Sequence, residues 1–131
     1  MAGEQRAEIE LIDGPRMVAR VGGHEFTIDF TENLGGTNSA PSPTQLMEVA
    51  IAACELFYAH RYLVRRNINT DGAKAIVTWE SSKKAVEKTK VEITIPGGLD
   101  AKLVEGAHRF MNKCFVTKSI EGEMQIESSI E

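Results

Sequence analysis

Cys54 and Cys114 are the only two cysteines in the 131 residues, and each falls on an apolar helical face. Cys54 lies within GGTNSAPSPTQLMEVAIAACELF, residues 35–57, where a glycine- and proline-rich loop runs into a segment apolar on nearly every side. A single buried cysteine commonly does no more than fill space. Two of them, with no others in the chain, suggest redox chemistry: a thiolate attacks one peroxide oxygen, the O–O bond breaks and a sulfenic acid forms. A second thiol condenses with it to a disulfide, which an external dithiol must reduce. Cys54 is then the attacking thiol and Cys114 the resolving one. Mid-helix, Cys54 has no helix N-terminus of its own to lower its pKa, and apolar burial raises it. A cation must come from elsewhere, and the strand hairpin offers Arg16 and Arg20.

The elements that position these residues follow from periodicity. Alternation of period two marks strands over residues 17–21, 26–30, 91–95 and 124–130, and AKAIVTWE (73–80) and AEIELI (7–12) look like a fifth and a sixth. DGPR (13–16) and VGGHE (21–25) are hairpin turns joining antiparallel neighbours. Ser42 as N-cap, Pro43 at N1 and Gln45 at N3 form a capping box that starts a helix running to about Arg66. Asp100 caps a second helix to about Lys113, with Leu103, Val104, Ala107, Phe110, Met111 and Cys114 on one stripe. Six mostly antiparallel strands around a long buried helix make one α+β domain spanning 1–131.

Lys plus Arg number 15 and Asp plus Glu 19, a net charge of −4 that argues against a nucleic-acid partner. The longest apolar run, near 46–57, is too short to span a bilayer, and MAGEQRAEIE lacks the apolar core of a signal peptide. The expectation is a cytoplasmic protein with reduced thiols and no membrane partner. His24, His60 and His108 have no metal-ligand spacing, and GGTNSAPSP lacks the lysine of a phosphate loop, so no cofactor is expected.

In the first helix only Glu48 and Glu55 interrupt apolar residues that cover the whole circumference. A helix apolar all round must be covered all round. One sheet and one helix leave a face open, which predicts a homodimer with central helices meeting through Ala50, Ala52 and Ala53.

LGG…APSPTQLMEVAIAAC, followed by CFVTKSI, resembles the OsmC/Ohr superfamily, the osmotically inducible and organic-hydroperoxide-resistance proteins, over nearly the whole chain. The resemblance implies an intertwined α+β homodimer with sites at the subunit interface. It also implies a two-cysteine peroxidase for organic hydroperoxides, reduced by a lipoyl-type dithiol. Cys54 matches the peroxidatic position, Cys114 the resolving one, and Arg16 the arginine that holds the thiolate. Two positions depart from the pattern. Thr44, followed by Gln45, stands where a glutamate would anchor the arginine, and Phe115 stands where proline is common. Glu48 and Glu55 point away around the helix and do not replace that anchor. The alternative is the same dimer with weak or no peroxidase activity, holding a small apolar ligand. A third reading is an interaction protein with inert core cysteines. Met47, Leu56, Phe57, Phe110 and Phe115 are the candidate pocket walls.

Overall fold

The computed structural model describes residues 4–122 and 124–130, as two compact units, Met1–Met47 and Glu48–Glu131. In the first unit β1 (Ala7–Asp13), β2 (Arg16–Val21) and β3 (His24–Ile28) form an antiparallel meander in the order β1-β2-β3. Gly22 and Gly23 close the β2–β3 turn with φ of 57° and 80°, the doubly left-handed turn that matches strand twist. Val18 and Ala19 are buried side by side in sequence, so both faces of β2 are covered there, while Val21 and Phe26 lie exposed. The alternation therefore identifies the strand but not that both of its faces are covered at Val18 and Ala19.

Asp29, which the alternation puts on a wet face, is 1% exposed and organises the loop that follows β3. Its Oδ1 accepts from the Phe30 N–H at 2.8 Å. Its Oδ2 accepts from Thr37 and Ser39 through both backbone N–H and hydroxyl, at 2.7 to 3.2 Å. The Ser39 N–H and hydroxyl, with the Phe30 N–H, hold this carboxyl well below its ordinary value of 3.8. A group whose pKa is depressed by folding stabilises the folded state above the unfolded pKa and loses that effect as pH falls toward the folded one. Urea midpoints should therefore decline steadily below about pH 4. Asp29→Asn should lower the neutral-pH midpoint and flatten that decline.

Helix α1 spans Pro43–Val64. Its capping box forms as the sequence predicts, with Ser42 Oγ accepting from the Gln45 N–H at 3.3 Å and Gln45 Oε1 from the Ser42 N–H at 3.0 Å. It ends two residues before Arg66, because Asn67 takes a left-handed φ of 61° and the Ile68 N–H returns to the Leu63 carbonyl.

In the second unit β4 (Lys74–Ser81) and β5 (Val86–Thr94) pair antiparallel, with Val77 opposite Val91. Helix α2 (Ala101–Met111) is capped by Asp100, whose carboxylate accepts from the Leu103 N–H at 2.9 Å. Leu63, Ile95 and Ala107 form the core, with Tyr62, Ile68, Ala73, Ile93, Leu99 and Leu103 packed around them.

Two expectations are corrected here. Helix α2 stops at Met111, and Cys114 caps a further helix, α3 (Phe115–Glu121), that the apolar stripe did not reveal. The sixth strand does not form: Met124–Ile130 carries no secondary structure, and Ile126 and Ile130 are 78% and 97% exposed. The described sheets thus hold five strands. A strand needs a neighbouring edge for its backbone groups, and among the described residues this segment has none.

Candidate active site

Cys54 occupies the middle of α1 and is half-buried. Cys114 is fully buried at the junction of α2 and α3. Turn hydrogen bonds bring it there, from the Lys113 N–H to the Phe110 carbonyl and from the Cys114 N–H to the Met111 carbonyl, at 3.0 and 2.9 Å. With φ −52° and ψ 125° it stands as the N-cap of α3, its carbonyl accepting from the Lys118 N–H at 2.9 Å. The two thiols, sixty residues apart in sequence, are brought close enough for each to shift the other's proton affinity.

The first turn of α3 lies beside both sulfurs. Burial pushes the Cys54 thiol up, and its hydrogen bond with Cys114 adds to that. The Val116 and Phe115 N–H groups offset only part, so Cys54 ends above its ordinary value. Burial pushes Cys114 up as well, but the Cys54 thiol, the Thr117 hydroxyl and the Thr117 and Val116 N–H groups outweigh it. No full capping hydrogen bond reaches the Cys114 sulfur, yet this donor field holds Cys114 below its ordinary value. The two thiols are close enough in this site to titrate as a pair. Although Cys54 has no N-terminus of its own helix, the start of a second helix faces it, a feature invisible without α3.

Glu55, next to Cys54 on α1, is tied to the same turn: Thr117 Oγ1 donates to Glu55 Oε2 at 2.8 Å. The sequence reading turned this carboxylate away from the chemistry, and α3 brings a partner to it. Glu48 is also not solvent-facing. It is 0% exposed, its Oε1 accepts from Thr89 Oγ1 at 2.7 Å, and its Oε2 has no hydrogen-bond partner among the described residues.

Arg16 belongs to the first unit, at the start of β2, where its guanidinium bonds Asp13 at 2.8 Å. Arg20 is engaged by three carboxylates, those of Glu8, Glu10 and Glu25. Of the expected pocket walls, Phe57 is 52% and Phe115 74% exposed, and Phe110 packs against Tyr58 and Tyr62 instead. An apolar cavity of about 180 Å³ lies elsewhere, lined by Ala59, Leu63, Val91, Ile93, Ile95, Leu99 and neighbouring α2 residues. Among the described residues no three His, Cys, Asp or Glu side chains converge as a metal site would. No described helix is long and apolar enough to cross a membrane.

The family model for OsmC-like proteins matches residues 36–129. A solved structure from Psychrobacter arcticus 273-4, named for osmotic stress induction and a detoxification response, superposes with a TM-score of 0.82 at 24% identity, covering 91% of this chain and 90% of that one. An OsmC-like protein of Mycoplasma pneumoniae gives 0.75 at 19% identity, with 93% and 90% covered. An organic hydroperoxide resistance protein OsmC of Legionella pneumophila gives 0.66 at 18%, with 93% and 92% covered. At these identities the likeness establishes the fold. A comparison with curated proteins finds no match.

Proposed function

Because the chain belongs to the OsmC/Ohr superfamily, we propose that it reduces organic hydroperoxides with Cys54 as the peroxidatic thiol and Cys114 as the resolving one. The observation that carries this reading is the pairing of the two thiols at the first turn of α3. The Cys54 thiolate attacks the terminal peroxide oxygen, the O–O bond breaks and the alkoxide leaves to take a proton. Cys54 is then a sulfenic acid, and Cys114 closes the disulfide with loss of water. An external dithiol of the lipoyl type restores both thiols by exchange.

Cys54 stands above its ordinary pKa in this chain, so the reading requires a cation at the attacking sulfur. Arg16 suits that role better than Arg20, whose guanidinium three carboxylates already surround.

The reading includes a homodimer. Val49, Ala50, Ala53 and Phe57 form an exposed apolar stripe along α1, while Ala52 is buried. A partner helix would cover that stripe, and a partner edge would pair Met124–Ile130. Free thiols and the absence of a described membrane-crossing helix are compatible with a cytoplasmic setting.

The test is direct. Reduced protein mixed with one equivalent of cumene hydroperoxide should lose both titratable thiols and gain one internal disulfide. Survival of both thiols in excess peroxide would end the reading. The cavity lined by Leu63 and Ile93 supports a second reading, in which the same fold holds a small apolar ligand. A ligand that co-purifies and stays bound in Cys54→Ser would favour it.

A further inference from the structure

We propose that the cleft between the ends of α1 and α2 binds a soluble organic phosphate, with the phosphate held by Arg66 and Lys113 and an apolar or planar part resting on Phe110. Two adjoining hollows of about 460 and 240 Å³ share Tyr62, Arg66 and Phe110. Arg65 lines the larger, and Gly106, Arg109 and Lys113 line the smaller. Gly106 lets the two helices close here: a Cβ on it would overlap the Tyr62 hydroxyl, so the ring lies directly on α2. The Arg66 guanidinium stacks on that ring, its central carbon 3.5 Å from the ring centroid, and Nη1 donates to the Tyr62 carbonyl at 2.9 Å. The guanidinium is thus held in place, with the Nε and Nη2 fork left to meet two phosphate oxygens.

Cations at helix C-termini ordinarily offset the macrodipole, and that role does not account for this cluster. Arg109 has a carboxylate partner, Glu105 at 2.8 Å, whereas Arg65, Arg66 and Lys113 form no ion pair among the described residues. Glu105 and the two helix ends, each end worth about half a negative charge, leave roughly two positive charges unmatched in a protein of net charge −4. A phosphomonoester carries about that charge with the opposite sign at neutral pH. A recess between two helix ends admits one small anion, not the length of a nucleic-acid backbone. Dimer formation through the exposed stripe of α1 would leave the cleft open. Tyr62 lies nine residues beyond Ala53, about two and a half turns, and so on the opposite side of the helix.

The test is calorimetric titration of the reduced full chain with AMP as the probe, done without peroxide and so independent of the thiol chemistry. AMP should bind, adenosine should not, and inorganic phosphate should bind more weakly than AMP. Arg66→Gln and Lys113→Gln should each weaken AMP about 10-fold or more, the worth of a hydrogen bond to a charged group. Lys113 is exposed, so its variant keeps the test alive if losing the Arg66 stack on Tyr62 disturbs folding. Arg61→Gln removes a charge from the same helix, where Arg61 lies over Phe57, and should leave the affinity unchanged. Absence of saturable AMP binding in the millimolar range would overturn the proposal. Equal weakening by Arg61→Gln would do so too, since it marks diffuse charge and not a site. Adenosine or inorganic phosphate matching AMP would remove one half of the recognition and overturn it as stated. Binding to vesicles containing phosphatidic acid, with none to AMP, would overturn the soluble ligand in favour of a membrane headgroup.

Discussion

Cys54→Ser is expected to abolish hydroperoxide turnover, with a fall of roughly 10⁴-fold or more in kcat/KM, while the fold persists. The change replaces one atom at a half-buried position, so packing is nearly conserved. The chemistry is not conserved. A serine hydroxyl is not ionised near neutral pH and cannot pass through a sulfenic acid, so the step that breaks the O–O bond has no nucleophile. Cys114→Ser should behave differently. It keeps the attacking thiol and should consume one equivalent of hydroperoxide, then stop with Cys54 as a sulfenic acid that dimedone traps. If Cys114→Ser leaves the attack intact and Cys54→Ser does not, the two roles are assigned. The opposite pattern would transfer the attack to Cys114, the thiol with the lower pKa in this chain. Equal turnover by both variants would leave two inert core thiols.

Gly36→Ala should be among the most damaging single-methyl changes in the chain, costing about 3 kcal/mol. A Cβ at Gly36 would overlap the carbonyl oxygen and carbon of Phe30 and come within 2.7 Å of Asp29 Oδ1. These are backbone atoms and a locked carboxylate, not the movable end of a side chain. The Asn38 N–H bonds the same Phe30 carbonyl at 2.9 Å, and the Asp29 carboxylate holds Thr37 and Ser39, so neither neighbour can yield alone. The expected result is a melting temperature lower by about 10 °C in a scan at neutral pH. Gly106→Ala is a useful comparison. Its added methyl would meet the Tyr62 ring, a side chain on α1, and alanine is the better helix former by about 1 kcal/mol. A smaller loss is expected there, because a ring can tilt where a peptide carbonyl cannot. Equal melting of Gly36→Ala and the parent would show that the Asp29 loop relaxes without strain.

Local signals in the chain were enough to locate α1, α2 and their caps. Ser42 with Gln45, and Asp100 with the Leu103 N–H, are side chain to backbone bonds made within one turn, so nearby residues determine them. The meander was legible for the same reason: Gly22 and Gly23 fix the β2–β3 turn, and alternation fixes the strands it joins. The two-cysteine signature likewise stood in the residues themselves, together with the family pattern around them.

What local pattern could not supply was whatever depends on contact across long separations. Asp29 looked like a wet strand residue, yet its burial depends on Thr37 and Ser39 folding back over it. The turn after Met111 interrupts a helical stripe that runs on smoothly in sequence, and it makes Cys114 a cap rather than a stripe residue. Glu55 gained its partner Thr117 from 62 residues away, and Glu48 its partner Thr89 from 41. The alternation of Met124–Ile130 announces a strand, but a strand exists only when another edge accepts its backbone groups. Residue types and their spacing therefore determined which thiols and helices this protein has. Tertiary structure alone decided which donors surround each sulfur, because a thiol's proton affinity is set by the groups that fold next to it.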